Sequence, residues 1–405
     1  MGDDVRALRD RLVDRLCAAG SICTNQVAEA FRLVPRHVFL PGVESAGAYA
    51  DEAIPTKWEP DGRPISSSSQ PAIMAIMLEQ LGVEPGQRVL EIGAGTGYNA
   101  ALLGHLVGEA GAVTTVDIDA DLVEQGRRHL DAAGLAQVSV VCGDGADGWA
   151  ENAPYDRIIL TATAEDLAPA WVDQLASGGR LVLPLSLRGQ QRSVAFERAG
   201  DHLLSVSMVN CGFMPLRGAL ARADAVRRLG DEPGVLLELG DGRAVDTAAL
   251  YAALGQPREA VATGVSMTLA DVVGGLGLWL ALHEPDVGRL TAIGAAVERG
   301  LVPALISFPG MVATTVLVGQ RALAALVRPD PATDVDRFDL RVQTFGPEAD
   351  DLALRLAAHV HAWEAGGRPS TTGLRIRAYP QPADGDNDQT SIRIDTHHAR
   401  LLLDW

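Results

Sequence analysis

The sequence predicts a doubly wound, mostly parallel α/β sheet over its first half and a separate C-terminal α+β domain after it. Three observations carry this prediction. Strand-like and helix-like apolar patterns alternate through residues 87–185, and a glycine-rich turn sits directly between a strand and a helix in "VLEIGAGTGYNA". The chain of 405 residues also exceeds the usual size of one domain.

The elements follow in order. Val5, Leu8, Leu12 and Leu16 recur at helical spacing, and Gly20 is placed to end that helix. Thr24 is the expected N-cap of a second helix through "NQVAEAFRLV", which must stop before Pro35. "PRHVFLPG" and "AYADEAIP" are irregular and lead to the run "RPISSSSQPAIMA". Pro71 suits the first position of a buried helix "AIMAIMLEQL" closed by Gly82, with Gln70 or Ser69 as its cap. "QRVLEI" then reads as a strand, "GAGTG" as a tight turn and "YNAALLGHLVG" as a helix. Repeats of the pattern are the strand "AVTTVDI", the helix "ADLVEQGRRHLDAAG", the strand "VSVVCGDG", the strand "YDRIILTA", the helix "LAPAWVDQLASGG" and the strand "RLVLPL". "QRSVAFERAGDHLLSVSMVN" adds antiparallel strands. Past "CGFMPLRGA" the character changes, which places a boundary near Gly218 and divides the chain into domains 1–218 and 219–405. The second holds helices at "TAALYAALG" and "TLADVVGGLGLWLALH". It ends as strand "RFDLRVQTFG", helix "ADDLALRLAAHVHAWEAGG", strand "GLRIRAYP" and strand "TSIRIDTHHARLLLDW", with the polar loop "QPADGDNDQT" between the last two.

Composition excludes several classes of function. Apolar residues at 47% and charged residues at 21% are ordinary for a globular chain with a normal core. The formal net charge is -18, and neither residues 1–217 nor the remainder are basic, so a phosphate backbone would be repelled and nucleic acid is not expected as a partner. Lys57 is the one lysine among 34 cationic residues. Cys17, Cys23, Cys142 and Cys211 form neither a CxxC pair nor a zinc-like spacing, which argues against disulfides and a metal site and makes them small core residues in a reducing compartment. The charged N-terminus "MGDDVRALRD" lacks the apolar run of a signal peptide. The most apolar stretch, "LVPALISFPGMVATTVLVG", is interrupted by Pro303, Pro309 and Gly310, so a cytoplasmic chain with no membrane span is expected.

Chemistry concentrates at the glycine turn. Gly93, Gly95 and Gly97 allow a tight turn and let a ligand approach backbone N–H groups at the positive end of the following helix. A dinucleotide site wants glycine at the sixth position of the fingerprint, where this chain has Tyr98. Asp117 ends the next strand, where its carboxylate can take both hydroxyls of a ribose. Asp144, in "CGDG", follows the third strand, where it can accept from an adenine amino group. Singly, each aspartate is equally a strand-end cap; together they suit a ligand with ribose, adenine and an amino acid but no phosphate.

At these residues the chain resembles a known family. Residues 21–218 look like the protein-L-isoaspartate O-methyltransferases, a branch of the Rossmann-like class I S-adenosylmethionine-dependent methyltransferases. The resemblance runs through "VAEAFRLVPRHVFLP", "AYADEAIP", "ISSSSQPAIMA", "VLEIGAGTGYNAALL", "GDGADGWAENAPYDRIILTA" and "LASGGRLVLPL". It implies S-adenosyl-L-methionine as cofactor and a site of Ser69, Glu91, Gly93, Ala94, Gly95, Gly97, Tyr98, Asn99, Asp117, Ile118, Gly143, Asp144, Gly145 and Thr161. It also implies methyl transfer to a carboxylate. Such an acceptor, with an ordinary pKa of about 3.9 for an Asp side chain, is already ionised at neutral pH and needs alignment and partial desolvation rather than a general base. Ser66, Ser68, Ser69 and Gln70 are the candidates for that alignment.

The chain departs from the family at this segment. Members typically read "ISxP", whereas this chain reads "ISSSSQP", with three residues added. Anchored on Gln70 and Pro71 the family serine maps to Ser69; anchored on Ile65 it maps to Ser66. The long C-terminal part is a second departure. Together they suggest an enlarged acceptor loop and a recognition domain, as in isoaspartyl-methyltransferase-like tailoring enzymes of ribosomally made peptides. These are thought to methylate an ordinary Asp in a cyclised precursor peptide, giving aspartimide and then isoaspartate. That reading is preferred from sequence to repair of isoaspartate in damaged proteins, and to a cofactor-binding interaction protein that has lost catalysis. A dimerising or stabilising role is the plain alternative for the C-terminal domain.

Overall fold

The spacing of Val5, Leu8, Leu12 and Leu16 folds as the helix Gly2–Ala18, which buries Leu12, Val13 and Leu16. Thr24 caps the helix Asn25–Leu33, its hydroxyl accepting from the amide of Val27. Pro71 opens the helix Pro71–Leu81, and the chain leaves it through Gly82 at φ +59°, a left-handed conformation that costs glycine little. The computed structural model describes residues 2–60, 62–135, 137–221, 226–230, 234–240, 242–308, 310–329, 336–347, 349–381 and 391–405. Pro309 and residues 382–390 of the polar loop lie outside the described residues.

The chain divides into two compact units. One comprises residues up to Leu185 with Gln191–Ala221 and Arg375–Asp404; the other comprises Ser186–Gln190, Arg222–Leu374 and Trp405. In the first, a ten-stranded sheet runs in the order Ile392–Asp395, Ala399–Asp404, Arg375–Pro380, His202–Asn210, Gln190–Ala199, Leu175–Leu187, Tyr155–Leu160, Arg88–Ile92, Ala112–Asp117 and Val138–Cys142. Arg88–Ile92 pairs in parallel with Ala112–Asp117 on one side and Tyr155–Leu160 on the other. Val89, Leu90, Ile92, Ile158, Ile159 and Leu160 are all buried, as strands covered on both faces require. The chain winds outward from Arg88–Ile92 through two strands, then returns to its other side. That reversal leaves a crevice beyond the carboxyl ends of Arg88–Ile92 and Tyr155–Leu160, where ligands bind in sheets of this kind.

Four local expectations are corrected. "LAPAWVDQLASGG" is helical only over Pro169–Asp173, because the strand Leu175–Leu187 starts early and pairs Leu175 with Tyr155. The serine run is a strand, Pro64–Ser68, paired antiparallel with Ile54–Trp58, so it is no irregular loop. The division at Gly218 is not one cut: 375–404 return to the first unit's sheet, where Arg377 and Ala378 pair with Leu204 and Leu203 and cover an otherwise open strand edge. Cys17, Cys23 and Cys142 are exposed, not core residues, and Cys211 alone is half-buried.

The second unit is built on an antiparallel sheet in the order Val226–Arg228, Val235–Leu239, Val287–Ile293, Met311–Val318, Leu323–Val327, Phe338–Phe345 and Val261–Met267, with Ile306–Phe308 paired to Met311–Val318. Leu250 and Leu254 of the helix Thr247–Leu254 pack with Leu237, Leu290 and Val316. Leu356, Val360 and Trp363 of the helix Asp350–Ala365 pack with Leu317, Leu326 and Leu340 in a separate cluster. His359 and His361, two apart on that helix, bond Glu284 and the Thr263 carbonyl respectively, a packing role for both. Among the described residues no helix is long and apolar enough to cross a membrane.

Candidate active site

The turn after Arg88–Ile92 is locked by its own neighbours. Gly93 has φ +105°, and a Cβ there would collide with the Thr161 hydroxyl. Thr161, at the end of Tyr155–Leu160, donates that hydroxyl to the Gly93 carbonyl at 2.8 Å. The amides of Gly93 and Ala94 donate to the Val116 carbonyl at 2.8 and 3.2 Å, and that of Gly95 donates to Asp117 at 3.0 Å. Three amides expected to face a ligand therefore tie the turn to the next strand instead.

Beneath the turn, Glu91 is fully buried, accepting from the Asn99 amide at 2.7 Å and the Thr115 hydroxyl at 2.5 Å. Burial outweighs these hydrogen bonds and raises its pKa to about 7. Tyr98 is buried against Phe31 and Phe39, with the Arg36 guanidinium 5.2 Å over its ring. The side chains of Glu91, Tyr98 and Asn99 thus brace the turn from below. Gly145 is likewise a packing glycine, since a Cβ there would collide with Ile92.

Two strand ends remain suited to a nucleoside. Asp117 is 8% exposed and accepts from the amides of Gly95 and Asp119, and burial raises its pKa. Each of its oxygens keeps a further lone pair for a ribose hydroxyl. Ile118 beside it is 38% exposed, an apolar side chain placed to lie along a purine face. The Gly143 amide donates to the Asp117 carbonyl at 3.0 Å and joins these two strand ends. Asp144 is more heavily used than expected: one oxygen accepts from Ala146 at 2.9 Å as the cap of Gly145–Asp147, the other from Ala219 at 2.7 Å. Its capping role is the one visible here, and only its outer lone pairs remain for an adenine. A buried carboxylate beside an open apolar residue, with a glycine turn on the adjacent strand, fits an adenosyl amino acid.

The serine strand crosses in front of the turn. A Cβ on Gly95 would lie 3.5 Å from the Ser67 carbonyl and 3.7 Å from the Ser66 hydroxyl. Alternation along the strand buries Ser66 and Ser68, at 8% and 3% exposure, and leaves Ser67 and Ser69 half-buried. Ser66 accepts from the Thr56 hydroxyl at 3.2 Å. The Ser68 carbonyl is held by the buried Arg36, which also donates to the Glu52 carbonyl, each at 3.3 Å. Neither Ser69 nor Gln70 caps the helix Pro71–Leu81 through its side chain. Asp51 does so instead: it accepts from the Ala72 amide at 2.8 Å and from the Gln70 amide group at 3.1 Å. Ser69 therefore sits between two fixed neighbours. Arg36, Thr56 and Lys57 are not candidates from sequence; only Arg36, a charge within the otherwise largely apolar stretch "LVPRHVFLP", offers a signal.

Comparison with known proteins adds a family. The sequence model described as "Protein-L-isoaspartate(D-aspartate) O-methyltransferase (PCMT)" matches residues 7–221. A Methanopyrus kandleri protein named protein-L-isoaspartate O-methyltransferase is 40% identical over 215 residues, 53% of this chain and 92% of its own length. One of the same name from Staphylothermus marinus is 39% identical over 217 residues, 52% of this chain and 94% of its own. A solved structure titled protein-L-isoaspartate O-methyltransferase aligns over 91% of this chain and 96% of that chain, with a TM-score of 0.51 and 24% identity, a likeness of fold.

Proposed function

The chain belongs to the protein-L-isoaspartate (D-aspartate) O-methyltransferase family, and from that premise we propose that it esterifies the free carboxylate of isoaspartyl residues in proteins or peptides. It is an S-adenosyl-L-methionine-dependent carboxyl O-methyltransferase. The observation that carries the proposal is the serine strand laid over the glycine turn, with the Ser66 hydroxyl and Ser67 carbonyl against Gly95. This puts a row of hydroxyls beside the place where the turn and Asp117 would hold the donor.

The cofactor supplies an electrophilic methyl group on a sulfonium. The protein's share is alignment. Ser69 holds the incoming carboxylate, Gln70 is fixed beside it by both of its donors on Asp51, and Ser66 and Ser68 line the approach. No base is required, because the acceptor arrives ionised, and a dry site favours the step in which opposite charges neutralise. The ester is a better leaving group than the carboxylate. The following backbone nitrogen of the substrate can then displace methanol and close a succinimide without further help.

A cyclised ribosomal peptide, the substrate preferred from sequence, rested on the added serines and on the C-terminal part. The alignment with the solved methyltransferase runs well past residue 221, so a second unit does not by itself point to peptide tailoring. Supporting the isoaspartate reading instead is the identity of about two-fifths to relatives of that name. Mass spectrometry decides between them. Incubated with S-adenosyl-L-methionine, a linear isoaspartyl peptide is expected to gain one methyl and then lose methanol, while the matching aspartyl peptide stays unchanged. Methylation confined to a cyclised aspartyl peptide would reverse the assignment. Removal of 219–405 is a poor test of the second unit, because it also removes three strands of the catalytic sheet.

A further inference from the structure

We propose that Lys57, the one lysine of the chain, is a positioning residue that latches the serine hairpin over the methyl-donor turn. The hairpin formed by Ile54–Trp58 and Pro64–Ser68 is a separate two-stranded sheet with no ladder to the ten-stranded one. Two-stranded hairpins are marginal alone in water, so its position depends on side-chain ties. At one end Arg36 holds the Ser68 carbonyl. Toward the other, Lys57 pairs directly across from Ser66, the serine whose hydroxyl faces Gly95.

The Lys57 ammonium reaches from this hairpin to the nucleoside side of the crevice. It lies 2.6 Å from Asp121 and 3.0 Å from Asp119. Both carboxylates stand at the start of the helix Ala120–Ala132, directly after Asp117 and Ile118. Asp119 is also held by Arg217 at 2.6 Å, so it is a fixed anchor and not a mobile surface group. Lys57 is 26% and Asp119 19% exposed, which shields this pair from solvent more than an ordinary surface bridge. A compact ammonium with three donors serves both carboxylates at once. The latch thus spans the donor site, joining the strand that carries Ser66 to the helix that follows the ribose-side carboxylate. Released, the hairpin would no longer hold Ser66 against Gly95 or keep water from the donor.

The inference rests on the proposed use of the hairpin as the acceptor wall, and a single lysine makes it measurable apart from that use. Endoproteinase Lys-C can cut the native full-length chain only after Lys57. Cutting of a transiently opened segment follows the population of the open form. Asp121, 67% exposed, is the solvent-facing partner, so Asp121→Asn is expected to be cut about two- to threefold faster than wild type without ligand. Saturating S-adenosyl-L-homocysteine should slow cutting of the wild type. By calorimetry, Lys57→Met should bind S-adenosyl-L-homocysteine about tenfold more weakly, with Lys57→Arg within about threefold of wild type and melting temperatures unchanged. Equal cutting of Asp121→Asn and wild type, or wild-type binding by Lys57→Met, overturns the latch. Failure of the wild type to bind S-adenosyl-L-homocysteine at all would instead count against the donor site, since the unliganded cutting ratio does not depend on it.

Discussion

The hydroxyl of Thr161 donates to the carbonyl of Gly93 at 2.8 Å and occupies the space that a Cβ on Gly93 would need. One contact thus joins the two strands that flank the crevice and excludes every other residue from the first position of the turn. Gly93→Ala should cost about 1–3 kcal/mol from its positive φ alone, with the collision added. Thr161→Ala should restore part of that loss in the double variant. Urea denaturation of the four proteins measures the coupling, and strict additivity would show that the contact does not constrain the turn.

Glu91 makes stability depend on pH in a definite direction. Its pKa is raised from 4.5 to about 7, so between those values the native chain holds a proton that the unfolded chain has lost. Its contribution is fully present below pH 4.5 and falls as pH rises through about 7. In Glu91→Gln this slope should vanish, so the melting temperature of the variant should gain on wild type as pH rises across the window. A constant difference would mean that the carboxyl titrates elsewhere.

Asp51 is expected to affect both stability and the acceptor. Asp51→Ala removes the acceptor for the Ala72 amide at the start of Pro71–Leu81 and the hold on Gln70. A lost cap of this kind costs about 1–2 kcal/mol. Because Ser69 adjoins Gln70, the variant should also raise KM for an isoaspartyl peptide more than it lowers kcat. Steady-state kinetics with saturating cofactor would expose the opposite pattern.

The serines should separate by role. A hydrogen bond to a charged group contributes about 1.5–3 kcal/mol, so Ser69→Ala should lower kcat/KM for the peptide about tenfold to a hundredfold. Ser66→Ala should act chiefly on binding of S-adenosyl-L-homocysteine, given its place over Gly95. If neither change slows methyl transfer, the assignment of the serine strand is wrong.

The legible and illegible parts of this molecule divide by how far apart the deciding residues lie. Thr24 and Gly82 end helices where the sequence puts them, and the turn at Gly93, Gly95 and Gly97 stands between a strand and a helix as read. Each depends on apolar period, backbone conformation or an immediate neighbour. Four consecutive serines carry no apolar alternation, so the strand Pro64–Ser68 and its irregular pairing with Ile54–Trp58 are not legible in the sequence. The motif places Glu91 and Asn99 at the turn without showing that their side chains bond each other and that Glu91 also bonds Thr115.

Local period and order along the chain suffice for the doubly wound first sheet and for the glycine turn between a strand and a helix, since both depend on near neighbours. Tertiary structure alone decided that Asp51, not Ser69 or Gln70, caps the following helix, that Arg36 and Lys57 hold the two ends of the serine hairpin, and that 375–404 return to complete the sheet. Hydrogen-bond and ion-pair geometry fall off within a few tenths of an ångström, so partners tens of residues apart meet only once the core has set the distance between them.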